Sequence, residues 1–180
     1  YLKDRNKPLP TLVLSNGGAV AETVTPIVGL SKLPELLVHG GVKVSFEPNL
    51  EVEGLLQVSD SSLLILSGTN NRVGGLLVEG AGWLTHPDET PLHLGVSADA
   101  VIAANSGFGL SGRGYGPGRG PGFGGVEASK LAVGGAHASH GGLWLGTSTL
   151  LPDHRPYGSV FDPRDMGSGG GSPPLPRPQN

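Results

Sequence analysis

His137 and His140 are the residues whose types and spacing most directly suggest chemistry, because neutral imidazole is a common metal ligand. Asp153 and His154 follow them and could complete a set of nitrogen and oxygen ligands. A separation of three residues in a loop does not by itself bring two rings together, however. The simpler interpretation is structural: His140 donates ring hydrogen bonds to backbone carbonyls that glycine-rich turns leave unpaired. We therefore predict no metal site.

Aromatic and charged side chains around Tyr157 suggest a second kind of chemistry, the binding of sugars. Trp144 and Tyr157 could each offer a flat apolar surface to a sugar ring, and Asp162, Arg164 and Asp165 could form its polar rim. A turn closed by ion pairs explains the same charges more simply. The residues predicted to contact a ligand or to support the fold are therefore His137, His140, Trp144 and Tyr157.

Glu51 and Glu53 are the carboxylates best spaced for acid–base catalysis. Residues i and i+2 of a β-strand point to the same face, so the two could act as a pair, as in enzymes that cleave polysaccharides. Adjacent acids on one strand are more commonly a solvated edge. No serine stands in the G-x-S-x-G pattern, followed by a helix, that a nucleophile elbow requires. We predict that the chain is not an enzyme and uses no cofactor.

Composition excludes several classes of function. The 180 residues carry a net charge of −3 with 15% charged residues and no basic stripe, so nucleic acid is not an expected partner. The absence of cysteine excludes disulfides and thiolate metal sites. No run of about 18 apolar residues occurs, so membrane insertion of this piece is not expected. Because the first residue is Tyr1, we expect a processed piece of a larger protein.

Short apolar runs bounded by turn residues fill the chain from residue 11 to residue 104. Several alternate strictly, as in VKVSF at 42–46, which places the apolar side chains on one face of a strand. Only residues 30–38 approach the length of a helix, and Pro34 interrupts them. We predict an all-β chain with almost no helix. The predicted strands are residues 11–14, 36–38, 42–46, 50–52, 55–58, 63–66, 75–78, 92–96 and 100–104.

The spacing of these runs distinguishes two β architectures. A β-sandwich is the alternative, since some runs recur every 8–12 residues or so, about the spacing of sandwich strands. Other runs are separated by only two to four residues, which favours a solenoid whose coils stack on one another. The segments LEVEGLLQV at 50–58 and VGGLLVEGA at 73–81 share a core, with a repeat of about 20 to 23 residues. We predict a right-handed parallel β-helix with aliphatic rows in a narrow interior.

Glycine dominates residues 107–125, which read GFGLSGRGYGPGRGPGFGG. Alternate glycines permit positive φ and the close approach of another backbone. GGAHASHGG at 134–142, PYGS at 156–159 and MGSGGG at 166–171 follow in order. This series, over about residues 92–172, resembles the glycine-rich β-helical modules of large extracellular and cell-surface proteins. The resemblance implies a right-handed parallel β-helix and a surface or matrix location, and it implies no reaction.

Four parts are predicted along the chain: an extended head at 1–10, a solenoid of short strands at 11–106, a glycine-rich segment at 107–172 that packs on or completes the solenoid, and a Pro-rich tail at 173–180. The tail departs from the modules, which continue into further strands. A disordered linker is the alternative for 107–135 and 170–180.

The expected function is structural: a filament, matrix or adhesin scaffold that is extracellular or on the cell surface. Unpaired edges at the ends of stacked coils favour assembly with other copies of the chain or with neighbouring segments of a larger protein. The alternative is a carbohydrate-binding module with glycans as partners. A polysaccharide-cleaving enzyme is the less favoured third hypothesis.

Overall fold

The computed structural model describes residues 11–124, 135–137, 156–161 and 164–171. The predicted head at 1–10 and tail at 173–180 lie outside these residues. The chain divides into two compact units, Tyr1–Ser111 and Gly112–Asn180. The described residues contain twelve β-strands, all in the first unit, and no helix. The prediction of an all-β chain is confirmed.

The strands of the first unit alternate along the chain between two sheets. The first sheet contains β1 (Thr11–Ser15), β3 (Lys32–Leu33), β4 (Glu35–His39), β6 (Glu51–Val58), β8 (Asn71–Val78), β10 (Leu94–Val96) and β11 (Ala100–Ile102). The second sheet contains β2 (Thr25–Val28), β5 (Lys43–Glu47), β7 (Leu63–Leu66), β9 (Trp83–Thr85) and β12 (Gly107–Phe108). All pairs are parallel. The chain therefore winds into a β-solenoid of about five coils, as predicted, and the β-sandwich alternative is wrong.

Like residues stack in register through successive coils and form the core. Where β4, β6 and β8 of the first sheet stack, one inward row consists of leucines and the next of valines, and all six side chains are buried: Leu36, Leu56 and Leu76, and Val38, Val58 and Val78. Val44, Leu64 and Leu84 form the matching row of the second sheet. Full burial of one such side chain stabilises the fold by about 1.5–3 kcal/mol. The rows explain why an aliphatic, aromatic-poor sequence suffices for this fold.

Tight turns lead from the first sheet to the second, with two consecutive residues in the left-handed region. Asp60 and Ser61 have φ angles of 52° and 58°, and Gly80 and Ala81, one coil later, have 54° and 61°. Positive φ at both central positions is the geometry of a type I′ turn. The N–H of Ser61 donates to the carbonyl of Gly80 at 2.9 Å, so successive turns are paired to each other.

Four strands were not predicted from the sequence: β2, β3, β9 and β12. Pro26 lies within β2 and cannot donate a hydrogen bond, but β2 is the outermost strand of its sheet, where a missing donor is tolerated. The runs predicted separately at 50–52 and 55–58 join into the single strand β6, with a register irregularity between Val52 and Leu55.

Backbone contacts hold together the described glycine-rich segments of the second unit. The N–H of Tyr115 donates to the carbonyl of Gly167 at 3.0 Å. Gly169 approaches Gly116 so closely that a Cβ on Gly169 would lie 1.9 Å from the Gly116 carbonyl oxygen. Only glycine permits this separation, which is the close backbone approach that the alternating glycines suggested.

Candidate functional site

The carboxylates of Glu51 and Glu53 lie on the outer face of β6 and share one partner. The Nζ atom of Lys32, on β3 of the preceding coil, lies 2.9 Å from Oε1 of Glu51 and 3.0 Å from Oε1 of Glu53. Lys32 is also the register partner of Glu51. The same-face placement of the two acids is as predicted, and an ammonium group from the neighbouring coil bridges them.

The shared ammonium decides what the two acids can do. Hydrogen bonds to Glu51, and then to Glu53, raise the pKa of Lys32 above its ordinary value of 10.5. The three side chains are 60%, 51% and 43% exposed for Lys32, Glu51 and Glu53, so water screens these ion pairs and they add little to stability. An acid–base pair requires two carboxyl groups in different environments. Here both accept from the same ammonium at nearly equal distance, and the geometry does not distinguish an acid from a base.

Arg72 continues the row of charges in the next coil. It lies on β8 as the register partner of Glu51, and its Nε donates to Oδ1 of Asn70 at 3.0 Å. Within the described residues its Nη groups make no hydrogen bond or ion pair. One coil further on, the hydroxyl of Ser97 donates to the carbonyl of Val73 at 3.3 Å. Charged and polar side chains thus cross four neighbouring coils on one outer face.

Three adjoining depressions follow this face, with volumes of about 360, 440 and 430 Å³. Neighbouring depressions share wall residues, so they form one continuous surface. Gly95 keeps part of its floor open, because a Cβ there would meet no atom closer than 3.8 Å. We call this surface the polar groove and define it by six of its polar side chains, Lys32, Glu51, Glu53, Asn70, Arg72 and Ser97.

Gly74 positions the strands that carry the groove. The backbone of β8 passes so near to that of β6 that a Cβ on Gly74 would lie 2.3 Å from the carbonyl oxygen of Glu53. Only a residue without a side chain permits this approach between the strands that carry Arg72 and the two acids.

In the second unit the structure brings together two of the four predicted residues, His137 and Tyr157. Their rings meet edge to face, with centroids 5.0 Å apart and an interplanar angle of 78°. Nε2 of His137 donates to the carbonyl of Asp165 at 3.0 Å. The hydroxyl of Tyr157 donates to the carbonyl of Met166 and accepts from Oγ of Ser168, the latter at 2.8 Å. The Nε2 atom of His137 and the hydroxyl of Tyr157 are therefore both hydrogen-bonded within the protein. His137 makes a ring-to-carbonyl bond of the kind that was predicted for His140.

The other two predicted residues, His140 and Trp144, lie outside the described residues, as do Asp153, His154 and Asp162. In the part of the chain that the structure does describe, no three His, Cys, Asp or Glu side chains gather as a metal site would require. A helix long and apolar enough to cross a membrane is likewise absent from the described ranges.

Sequence reasoning missed Lys32 and Arg72. Both lie outside any local motif and join Glu51 only because successive coils stack in register. The signal was their spacing: Lys32, Glu51, Arg72 and Gly95 recur at about one coil length. Leu36, Leu56 and Leu76 set the coil length at about 20 residues, and counting by that length from Glu51 would have placed Lys32 and Arg72 beside it.

No protein-family model matches the chain, and neither does any characterised protein or solved structure.

Proposed function

We propose that the chain is a structural, non-catalytic segment of an extracellular or cell-surface protein, whose coils stack end to end with copies of itself or with neighbouring segments. The observation that supports this proposal is the exposed core at the last coil. Ile102 pairs with Val78 and ends the inward valine row. Val78 is 0% exposed, whereas Ile102 is 46% exposed.

Both ends of the solenoid offer strand edges that can accept another coil. Within the described residues, β1 and β2 are paired on one side only, and so are β11 and β12 at the other end. The open edges belong to the same two sheets, so a translated copy would continue both. Leu14 pairs with Val38 and begins the inward row that Ile102 ends. When the first coil of one copy stacks on the last coil of another, Leu14 of the first copy would cover Ile102 of the second. A head-to-tail contact of this kind repeats without closing and builds a filament.

Two further features support a structural, surface-located role. The interior consists of aliphatic rows, and the best-spaced acids are bridged by Lys32, which favours a scaffold over an active site. The glycine-rich motifs of the C-terminal half follow one another in the same sequence order as in the modules of surface proteins that they resemble, which favours an extracellular or cell-surface location.

The test is sedimentation velocity and electron microscopy of the full chain over a range of concentrations. We expect elongated assemblies that grow with concentration. Ile102→Asp should abolish them, because it places a charge inside the stacked row. Val101→Asp is the matched control, since Val101 is the neighbouring residue, faces outward and is 52% exposed. A chain that stays monomeric throughout, or two variants that behave alike, would contradict the proposal.

A further inference from the structure

The polar groove presents strong hydrogen-bonding groups that the protein leaves unpaired. Lys32 engages Oε1 of both Glu51 and Glu53, and within the described residues their Oε2 atoms have no partner. The Nη donors of Arg72 are unpaired in the same region. Hydrogen bonds to charged groups are among the strongest that a surface can offer. The groove therefore holds free donors and free acceptors beside each other.

The charges of the groove balance. Lys32 and Arg72 are positive, and Glu51 and Glu53 are negative. An anionic ligand that bound Arg72 would meet two carboxylates, and a cationic ligand would meet the ammonium and the guanidinium. A neutral ligand avoids both repulsions. A hydroxyl group both donates and accepts, so a hydroxyl-rich molecule can satisfy Arg72 and the carboxylates together.

The groove is long and crosses the middle of the first sheet. Its side chains come from four successive coils, which span about 14 Å at the usual strand separation. Both β6 and β8 have paired neighbours on each side, so a peptide could add as a strand only beside β10, at one end of the groove, and not along its length. From these observations we infer that the polar groove binds a neutral, hydroxyl-rich glycan chain. The groove lies on the outer face of the coils, whereas the proposed assembly uses the inward residues Leu14 and Ile102 at their ends, so different substitutions test the two.

Affinity electrophoresis of the full chain tests this inference. The gels would contain one of three neutral polysaccharides (dextran, laminarin or galactomannan), the polyanion polygalacturonate or the polycation chitosan. We expect at least one neutral polysaccharide to retard the chain and the two charged polymers to leave it unaffected. Retardation by a charged polymer alone, or by none of the five, would overturn the inference.

Substitutions then locate the site. Arg72→Ala should weaken binding about tenfold or more, since it removes charged hydrogen bonds. Gly95→Val should also weaken binding, because it adds bulk to the floor of the groove at a position where a Cβ meets only ordinary contacts. Lys43→Ala, on β5 of the second sheet, is the matched control and should bind normally. Equal binding by all three variants would refute the assignment to the groove.

The assembly-deficient Ile102→Asp chain separates this inference from the proposed function. If the groove is the site, Ile102→Asp should still be retarded by the same neutral polysaccharide, although less strongly where assembly adds avidity. Complete loss of retardation in Ile102→Asp would place binding at the coil ends and overturn the groove.

Discussion

The side-chain Oδ1 of Asn71 accepts a hydrogen bond from the backbone N–H of Leu50, in the preceding coil, at 2.9 Å. The Nδ2 of the same residue donates to the carbonyl of Gly68 at 2.7 Å and to that of His93, in the following coil, at 3.0 Å. Asn71 is buried. A single side chain therefore satisfies backbone groups of three coils at the turn where the second sheet leads back to the first.

Asn71→Leu should destabilise the first unit strongly. The substitution has similar size but removes three hydrogen bonds and leaves the buried backbone groups of Leu50 and Gly68 unpaired, at a cost of about 1–3 kcal/mol for each group. We expect the free energy of unfolding in urea to fall by about 3 kcal/mol or more. Asn70→Leu is the control, because Asn70 is exposed and should change stability by less than about 1 kcal/mol. Equal losses in the two variants would show that the three bonds contribute nothing.

The leucine row provides a second stability prediction. Leu56→Ala should lower the free energy of unfolding by about 2–5 kcal/mol, because it opens a cavity between Leu36 and Leu76 in a closely packed interior. Its sequence neighbour Leu55 faces outward and is 39% exposed, so Leu55→Ala should cost less than about 1 kcal/mol. Chemical denaturation of both variants measures the difference. A reversed order would contradict the assignment of the inward face.

The strands that sequence could predict are those in which local pattern and tertiary role agree. Alternation at 42–46 and the four apolar residues of β7 were sufficient, because the side chains that alternate are those that enter the row. β2 was missed because Pro26 opposes strand formation locally, and only its place at the edge of a sheet removes the conflict.

The polar groove was only partly predictable, for a different physical reason. Glu51 and Glu53 share a face through the twofold period of one strand, which is a local property. Lys32 and Arg72 reach them through register between coils, which depends on the full length of each turn. The turns do not mark the coil length in the sequence, because equivalent positions carry different residues: Asp60-Ser61 and Gly80-Ala81 adopt the same left-handed backbone conformation.

Gly74 and Gly95 should respond in opposite ways to the same substitution. Gly74→Ala places a Cβ 2.3 Å from the carbonyl oxygen of Glu53, so strands must shift, at a cost of about 1–3 kcal/mol or more. The Cβ of Gly95→Ala meets only ordinary contacts. We expect this variant to be as stable as the unsubstituted chain or more stable by about 0.4–1 kcal/mol, because alanine lowers the conformational entropy of the unfolded chain. Thermal unfolding of the two variants provides the comparison. Similar melting temperatures would show that the strands do not approach as closely as the structure has them.

The ion pairs of Lys32 should contribute to stability in a defined range of pH. Hydrogen bonds to Glu51 and Glu53 raise the pKa of Lys32 in the folded chain above the unfolded value of 10.5. A raised pKa means that the folded chain holds the proton more tightly. The contribution is therefore fully present below 10.5 and is lost as the pH rises through the folded pKa. It is small, because the groups are exposed, and added salt should reduce it.

Lys32→Met makes this pH dependence measurable. The difference in unfolding free energy between the unsubstituted chain and Lys32→Met should favour the unsubstituted chain near neutral pH and shrink as the pH rises above 10.5. Lys43→Met is the control, because Lys43 has no ion pair within the described residues. Its difference from the unsubstituted chain should not show this decline. A Lys32→Met difference that grows with rising pH would reverse the sign and contradict the shared-ammonium geometry of the groove.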